Sequence, residues 1–237
     1  IPARLTKELR SSVFMLGSVL TRFHRAKISY PGGCDIGLRP IDLHLSGLKR
    51  LGVKIVEESG YISCSAEKLS GADILLDFPS VGATENIILA AVRAEGLTVI
   101  RNAAKEPEIV DLQNFLNAMG GKVRGAGGGT VFVEGVEKLR GVEYTPIKDR
   151  IEAGTFLIAA ASCGGEIEMD GVPQENIAAL LHKLRENGCK IHIKNDRIIL
   201  RSDGRLFAAD LIETTPFPGF PTDLQAQFSA LACTAKG

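Results

Sequence analysis

Several features that often point to a function are missing from this sequence. Charge of one sign is missing: 28 lysines and arginines face 28 aspartates and glutamates. No overall field therefore draws the chain to nucleic acid or to an acidic membrane surface, and an anionic ligand has to be held by local groups. Long hydrophobic runs are missing as well. Stretches such as Phe156 to Ala161 fall far short of the roughly 20 apolar residues that cross a bilayer, and the N-terminus lacks the layout of a signal peptide. The expectation is a soluble, cytoplasmic protein with no nucleic-acid and no membrane partner. Cysteine is sparse, with five residues at 34, 64, 163, 189 and 233, an odd number without a CxxC pair. That spacing indicates neither a zinc site nor a disulfide framework, so reduced thiols are the default. An initiating methionine is also absent: the chain opens at Ile1 and stops at Ala235-Lys236-Gly237, just after an apolar helical pattern. It reads as a piece of a longer protein.

What is present is a repeat. The 237 residues are 45% apolar, enough for one large core or two smaller ones. Leu51-Gly52-Val53-Lys54-Ile55, Met119-Gly120-Gly121-Lys122-Val123 and Asn187-Gly188-Cys189-Lys190-Ile191 share one pattern, with glycines at 52, 120 and 188, each 68 residues after the last. An amphipathic segment precedes each glycine (Ile41 to Arg50, Ile109 to Ala118, Ile177 to Glu186) and two short alternating runs follow it. Helix, glycine stop, hairpin is the reading. In the middle unit the hairpin runs over Lys122 to Arg124 and Thr130 to Glu134, and Glu67-Lys68-Leu69-Ser70-Gly71 is echoed by Glu137-Lys138-Leu139-Arg140-Gly141. Upstream of these helices lie further helix–strand pairs: Ser11 to Phe23 with Lys27 to Tyr30, Ala83 to Ala94 with Leu97 to Arg101, and Glu152 to Ser162 with Glu166 to Asp170. A strand at Ile74 to Asp77 precedes the second of them, and a last helix starts at Thr222. The fold class is mixed α/β, in repeated βαβαββ units. Ile87 to Val92 and Phe156 to Ala161 are apolar on nearly all sides, so these helices are expected inside, with sheets packed around them.

One stretch looks like chemistry rather than scaffold. Pro31-Gly32-Gly33-Cys34-Asp35-Ile36-Gly37-Leu38-Arg39-Pro40-Ile41-Asp42-Leu43-His44 holds three glycines and two prolines, which keep it out of helix and central-strand interiors. It nevertheless carries a thiol, a guanidinium, two carboxylates and an imidazole. A cation five residues from Cys34 favours the thiolate, and the flexible flanks let a reactant reach the sulfur. A glycine-rich connection with an incidental thiol is the competing reading, and residue chemistry alone leaves both standing. The other four cysteines fall in periodic apolar contexts, where a buried small side chain is expected.

The βαβαββ repeat, this loop, Ser80-Val81-Gly82-Ala83-Thr84-Glu85-Asn86 and Phe220-Pro221-Thr222-Asp223-Leu224-Gln225-Ala226-Gln227 together resemble the enolpyruvyl transferases, in particular the UDP-N-acetylglucosamine 1-carboxyvinyltransferase family. The resemblance covers essentially the whole chain. It implies a two-domain, inside-out α/β architecture with three βαβαββ units per domain. Residues 1–148 would be the last two units of one domain, and 149–237 one unit and an opening helix of the other. The implied reaction joins the enolpyruvyl group of phosphoenolpyruvate to the sugar 3′-hydroxyl of UDP-N-acetylglucosamine by addition and elimination of phosphate, with no cofactor and no metal.

Carried over position by position, the resemblance makes Cys34 the acid that protonates phosphoenolpyruvate and Asp223 the base at the sugar hydroxyl. Arg10 and Arg39 bind the anionic groups of phosphoenolpyruvate. Arg39, Pro40, Ile41, Asp42 and Leu43, with Ser80, Val81 and Gly82, hold the uridine and diphosphate, the latter through amides at a helix start. Each has a plainer alternative. Asp223 suits the first turn of any helix, His44 is either a packing or a substrate-side group, and Arg150 with Glu152 either orients the site or pairs at a helix start. Glu106 and Glu108 suit a solvated turn, although the resemblance puts that turn at the cleft. Two departures stand out. Phe78 occupies the place of a lysine in some relatives, and the family's N-terminal Lys-Asn pair and later C-terminal acidic and arginine residues have no counterpart in these positions. The shikimate-pathway enolpyruvyl transferase and a non-catalytic relative that keeps the fold are the alternatives.

Overall fold

The computed structural model describes residues 2–32, 40–195 and 197–237. Cys34 and Arg39 lie outside the described residues. Contacts divide the chain into Ile1–Pro146 and Ile147–Gly237. The first unit runs α1 (Ala3–Glu8), a 3₁₀ turn (Arg10–Phe14), α2 (Met15–Phe23), β1 (Arg25–Ser29), α3 (Asp42–Arg50), β2 (Lys54–Glu58) and β3 (Tyr61–Ser65). It continues with β4 (Asp73–Leu75), α4 (Val81–Ala91), β5 (Leu97–Arg101), α5 (Pro107–Ala118), β6 (Lys122–Arg124) and β7 (Thr130–Glu134). The second holds α6 (Arg150–Cys163), β8 (Gly165–Asp170), α7 (Ala178–Glu186), β9 (Lys190–Lys194), β10 (Arg197–Ser202) and α8 (Gln225–Ala232). Short 3₁₀ turns at Gln174–Ile177 and Thr222–Leu224 lead into α7 and α8.

The repeat is visible in three independent ways. Gly52, Gly120 and Gly188 end α3, α5 and α7 with nearly the same left-handed backbone, φ of 94°, 96° and 95°, a conformation that glycine adopts without steric cost. The carbonyls just before them, of Leu51, Met119 and Asn187, accept amide hydrogen bonds from the returning chain at Ser70 (3.1 Å), Arg140 (2.9 Å) and Phe207 (3.1 Å). The spatial strand order is also the same each time: β1-β3-β2, β5-β7-β6 and β8-β10-β9, antiparallel throughout, with β4 added parallel to β5 at the edge of the second sheet. The middle strand of each sheet alternates as a half-buried strand should: Ile62 and Cys64, Val131 and Val133, Ile198 and Leu200 point into the core.

In the first unit α4 is the buried axis, packed against α2, α3 and α5. Ala83, Thr84, Asn86, Ile87, Ile88, Ala90 and Ala91 are all buried. A fully buried Ile such as Ile87 or Ile88 contributes about 2 kcal/mol of transfer free energy. Close packing is possible because Gly17 in α2 has no side chain: a Cβ there would stand 2.3 Å from the Asn86 carbonyl oxygen. The Thr21 hydroxyl ties the same pair of helices, donating to the carbonyls of Leu89 (2.8 Å) and Ala90 (3.0 Å) near the end of α4.

In the second unit α6 is only partly enclosed. Leu157, Ile158 and Ala161 are buried, but Phe156 is 53% exposed, which corrects the expectation that this helix lies wholly inside. One three-stranded sheet, with α7 and α8, leaves part of its surface uncovered within the unit. Two cysteine expectations are corrected as well. Cys64 and Cys189 are buried, whereas Cys163 and Cys233 are exposed. Both sit at helix C-termini, at the end of α6 and just past α8, where no further turn packs over the thiol. Among the described residues no helix is long and apolar enough to cross a membrane.

Candidate functional site

The groups gathered around the start of α4 form the chemically richest cluster in the first unit. Ser80 is the N-cap, and its Oγ accepts from the Ala83 amide at 3.3 Å while its carbonyl accepts from the Thr84 hydroxyl at 2.8 Å. Val81 and Gly82, the next two residues, carry amides that have no acceptor inside the helix. These donors and the helix dipole favour an anion at this end.

His44, in the first turn of α3, stands beside Gly82. A Cβ on Gly82 would lie 3.1 Å from His44 Cε1, 3.3 Å from Nε2 and 3.4 Å from the Phe14 ring, so a larger residue there would press on the imidazole by a few tenths of an ångström. The Phe14 ring tilts at 57° to it with centroids 6.2 Å apart. Ile41 and His44 are buried at 6% and 7% exposure, Leu43 is half-buried, and Pro40 and Asp42 are exposed. Burial, and then the positive charge of Arg10, lower the His44 pKa to about 4, with Asp42 pulling weakly the other way. The imidazole is therefore neutral at physiological pH.

Arg10 reaches the same corner from the 3₁₀ turn after α1, its Nη2 donating to the Pro40 carbonyl at 3.4 Å. The other described flank of the loop is also tied to this stretch, the Gly32 amide donating to the Thr6 carbonyl at 3.1 Å. Arg10, Pro40, Ile41, His44 and the Ser80–Gly82 turn are thus brought to one locality, although about 70 residues of chain separate its extremes. Phe78, where a lysine was in question, is 56% exposed.

Three further side chains in this region gave little sign of themselves in the sequence. Asn86 immediately precedes the apolar run Ile87 to Val92, and that position is the only hint: it is fully buried, accepts from the Gly17 amide at 2.8 Å, and places Nδ2 3.3 Å from the Val13 carbonyl and 3.1 Å from His44 Nδ1. Glu85, one residue earlier, is pushed up to about 7 by burial and then by the charges of Glu108 and Glu106. Glu106, read as part of a solvated turn, is 7% exposed and occupies the N-cap position of α5 without a side-chain capping hydrogen bond.

In the second unit, Asp149 caps α6 through Oδ1, which accepts from the amides of Ile151 (2.8 Å) and Glu152 (3.0 Å). Arg150, the first residue of α6, is buried at 6% exposure, with its guanidinium 5.7 Å from the centre of the Phe217 ring. Asp223 is exposed in the 3₁₀ turn that opens α8. Its neighbour Leu224 is buried and closes on Gly154 of α6, which fixes the turn and leaves the carboxylate facing outward.

Comparisons with known proteins bear on the family. The sequence model described as EPSP synthase (3-phosphoshikimate 1-carboxyvinyltransferase) matches residues 1–237. The chain is 54% identical over 237 residues to UDP-N-acetylglucosamine 1-carboxyvinyltransferase 2 of Caldanaerobacter subterraneus, covering 100% of this chain and 57% of that protein. It is 56% identical over 238 residues to UDP-N-acetylglucosamine 1-carboxyvinyltransferase 1 of Symbiobacterium thermophilum, of which it covers 54%. The chain thus spans a little over half the length of these curated relatives. Among solved structures, the enolpyruvyl transferase NikO from Streptomyces tendae superposes with a TM-score of 0.83 at 22% identity, over 100% of this chain and 57% of that one. EPSP synthase from Acinetobacter baumannii superposes with a TM-score of 0.57 over 84% of this chain. With its whole length matched by the family model and its architecture shared with an enolpyruvyl transferase, the chain belongs to the EPSP synthase (3-phosphoshikimate 1-carboxyvinyltransferase) family of enolpyruvyl transferases.

Proposed function

We propose that the chain is part of a cytoplasmic enzyme that transfers the enolpyruvyl group of phosphoenolpyruvate to the 3′-hydroxyl of UDP-N-acetylglucosamine, the first committed step of peptidoglycan synthesis. The observation that carries this reading is the 54% and 56% identity, along the whole chain, to two proteins named for that activity. Cys34 protonates the methylene carbon of phosphoenolpyruvate while the sugar oxygen, its proton taken by Asp223, adds to the adjacent carbon. Loss of a proton from the new methyl group then expels inorganic phosphate and restores the double bond, so atoms and charge balance without a redox partner. Arg10 and Arg39 neutralise the phosphate and carboxylate of phosphoenolpyruvate. Pro40, Ile41, Asp42 and Leu43, with His44 and the first turn of α4 at Ser80, Val81 and Gly82, hold the sugar nucleotide, and Arg150 is a further substrate-binding residue. As a loop thiol that meets phosphoenolpyruvate, Cys34 is the point of attack for fosfomycin.

The test is phosphate release from phosphoenolpyruvate in a full-length context, with this chain replacing the corresponding segment of the Caldanaerobacter relative. Release that depends on UDP-N-acetylglucosamine and is abolished by Cys34→Ala is expected. Release that depends instead on shikimate 3-phosphate would assign the chain to the other branch of the family. Tight sugar-nucleotide binding without any release, in a chimera whose parent relative is active, would make it a non-catalytic relative.

A further inference from the structure

Two backbone groups, whose donor and acceptor roles cannot be exchanged, decide how Asn86 is oriented. The Gly17 amide must donate, so the side-chain atom 2.8 Å from it is Oδ1. The Val13 carbonyl must accept, so the atom 3.3 Å from it is Nδ2. The same Nδ2 lies 3.1 Å from His44 Nδ1. An amide nitrogen has only hydrogens to offer, so Nδ1 must be the bare, accepting nitrogen, and a neutral ring then carries its proton on Nε2. That nitrogen is the one next to Gly82, 3.3 Å from where a Cβ on that residue would stand. Among the described residues Nε2–H meets no acceptor, although His44 is only 7% exposed. It stands beside the two first-turn amides of α4 that also have no intrahelical acceptor.

We infer that Asn86 is a positioning residue, holding the proton of His44 on Nε2 so that the imidazole offers an uncharged N–H, beside the first turn of α4, to an oxygen of the sugar nucleotide. The inference rests on the proposed function for the identity of that ligand and on hydrogen bonds alone for the tautomer. It also accounts for a fully buried asparagine on the helix that forms the axis of the first unit. Asn86 reads the backbone of α2 on one side and writes a protonation pattern onto α3 on the other. Of the charged groups that act on the ring, Arg10 opposes a second proton and Asp42 favours one, so the tautomer is set where the net charge is already zero.

The experiment uses the full-length chimera with ¹⁵N-labelled histidine, the His44 signals being identified by their loss in His44→Gln. In the parent protein at pH 7, long-range ¹H–¹⁵N spectra are expected to show a protonated Nε2 and a bare Nδ1. Asn86→Asp keeps the shape and the bond from Gly17 but turns the other contact into an acceptor, which should draw the proton to Nδ1. It should weaken UDP-N-acetylglucosamine binding about tenfold, as for one lost hydrogen bond to a ligand. His44→Gln supplies an amide N–H near the Nε2 position whatever Asn86 does, so Asn86→Asp on that background should change affinity less than about twofold. A parent spectrum with the proton on Nδ1, or with both nitrogens protonated at pH 7, overturns the inference without recourse to any variant. An inferred tautomer combined with an Asn86→Asp affinity that is unchanged, or that falls equally in both backgrounds, overturns the ligand-facing role. If the parent chimera binds no UDP-N-acetylglucosamine, the proposed function fails and the ligand-facing role with it, while the spectrum still decides the tautomer.

Discussion

The Gly17 amide and Asn86 Oδ1, 2.8 Å apart, join α2 to the buried axis of the first unit at a point where neither helix has room for another atom. A Cβ at position 17 would stand 2.3 Å from the Asn86 carbonyl oxygen and 2.6 Å from Oδ1. Gly17→Ala is therefore expected to destabilise the protein by about 2–4 kcal/mol, combining overpacking with a strained buried hydrogen bond, despite the better helix propensity of alanine. Chemical denaturation checks it, and a variant as stable as the parent would mean that α2 can slide on α4.

Glu85 makes the first unit less stable at neutral than at acid pH. Its pKa rises from 4.5 to about 7 through burial and the charges of Glu108 and Glu106. Between those values the folded chain binds more protons than the unfolded one, so stability falls as pH rises through that window. Glu85→Gln should leave stability at pH 4 nearly unchanged and raise it at pH 8, by roughly 2 kcal/mol. Denaturation at the two pH values reads the difference directly.

His44 works in the opposite direction. Its pKa falls from 6.5 to about 4, with burial the main cause and Arg10 the second. Here the unfolded chain binds the extra proton, so the stabilisation is fully present above pH 6.5 and is lost as pH falls toward 4. His44→Gln is expected to lose less stability than the parent between pH 7 and pH 4.5. An identical acid limb in both proteins would show that the ring is solvated.

The thiols should divide by burial. Brief iodoacetamide treatment is expected to modify the exposed Cys163 and Cys233. Cys64, which burial and then Glu57 push up to about 11, and Cys189, raised mainly by burial, should stay unmodified until the protein unfolds. Fosfomycin, acting through its likeness to phosphoenolpyruvate, should mark Cys34 in the full-length context and spare the other four. Peptide mapping separates the two patterns.

Asp223 is exposed in a short turn, so Asp223→Asn should alter stability by less than about 0.5 kcal/mol. As a general base it should lower kcat by about 10² to 10⁴ with a much smaller effect on KM. Steady-state kinetics in the full-length context, beside a melting curve, tests both halves. Near-normal turnover would return Asp223 to an ordinary first-turn acid.

By itself the sequence determined the elements and their repetition. Lys122–Arg124, Thr130–Glu134 and Leu97–Arg101 are strands with the bounds that alternation and flanking glycines predict, and Gly52, Gly120 and Gly188 stop three helices with one backbone geometry. These are local matters: period, turn chemistry and φ preference act within a few residues, so they can be read there. Only the tertiary structure decided what faces what. The Asn86–Gly17 and Asn86–His44 hydrogen bonds join positions 69 and 42 residues apart, and nothing in an asparagine or a histidine announces its partner. The same holds for the raised Glu85, whose neighbours come from the start of another helix, and for Phe156, Cys163 and Cys233, whose apolar contexts suggest burial although the surrounding elements leave them exposed. Burial belongs to the packing of whole elements rather than to a stretch of sequence, and the charge, protonation and reach of each site residue follow from burial.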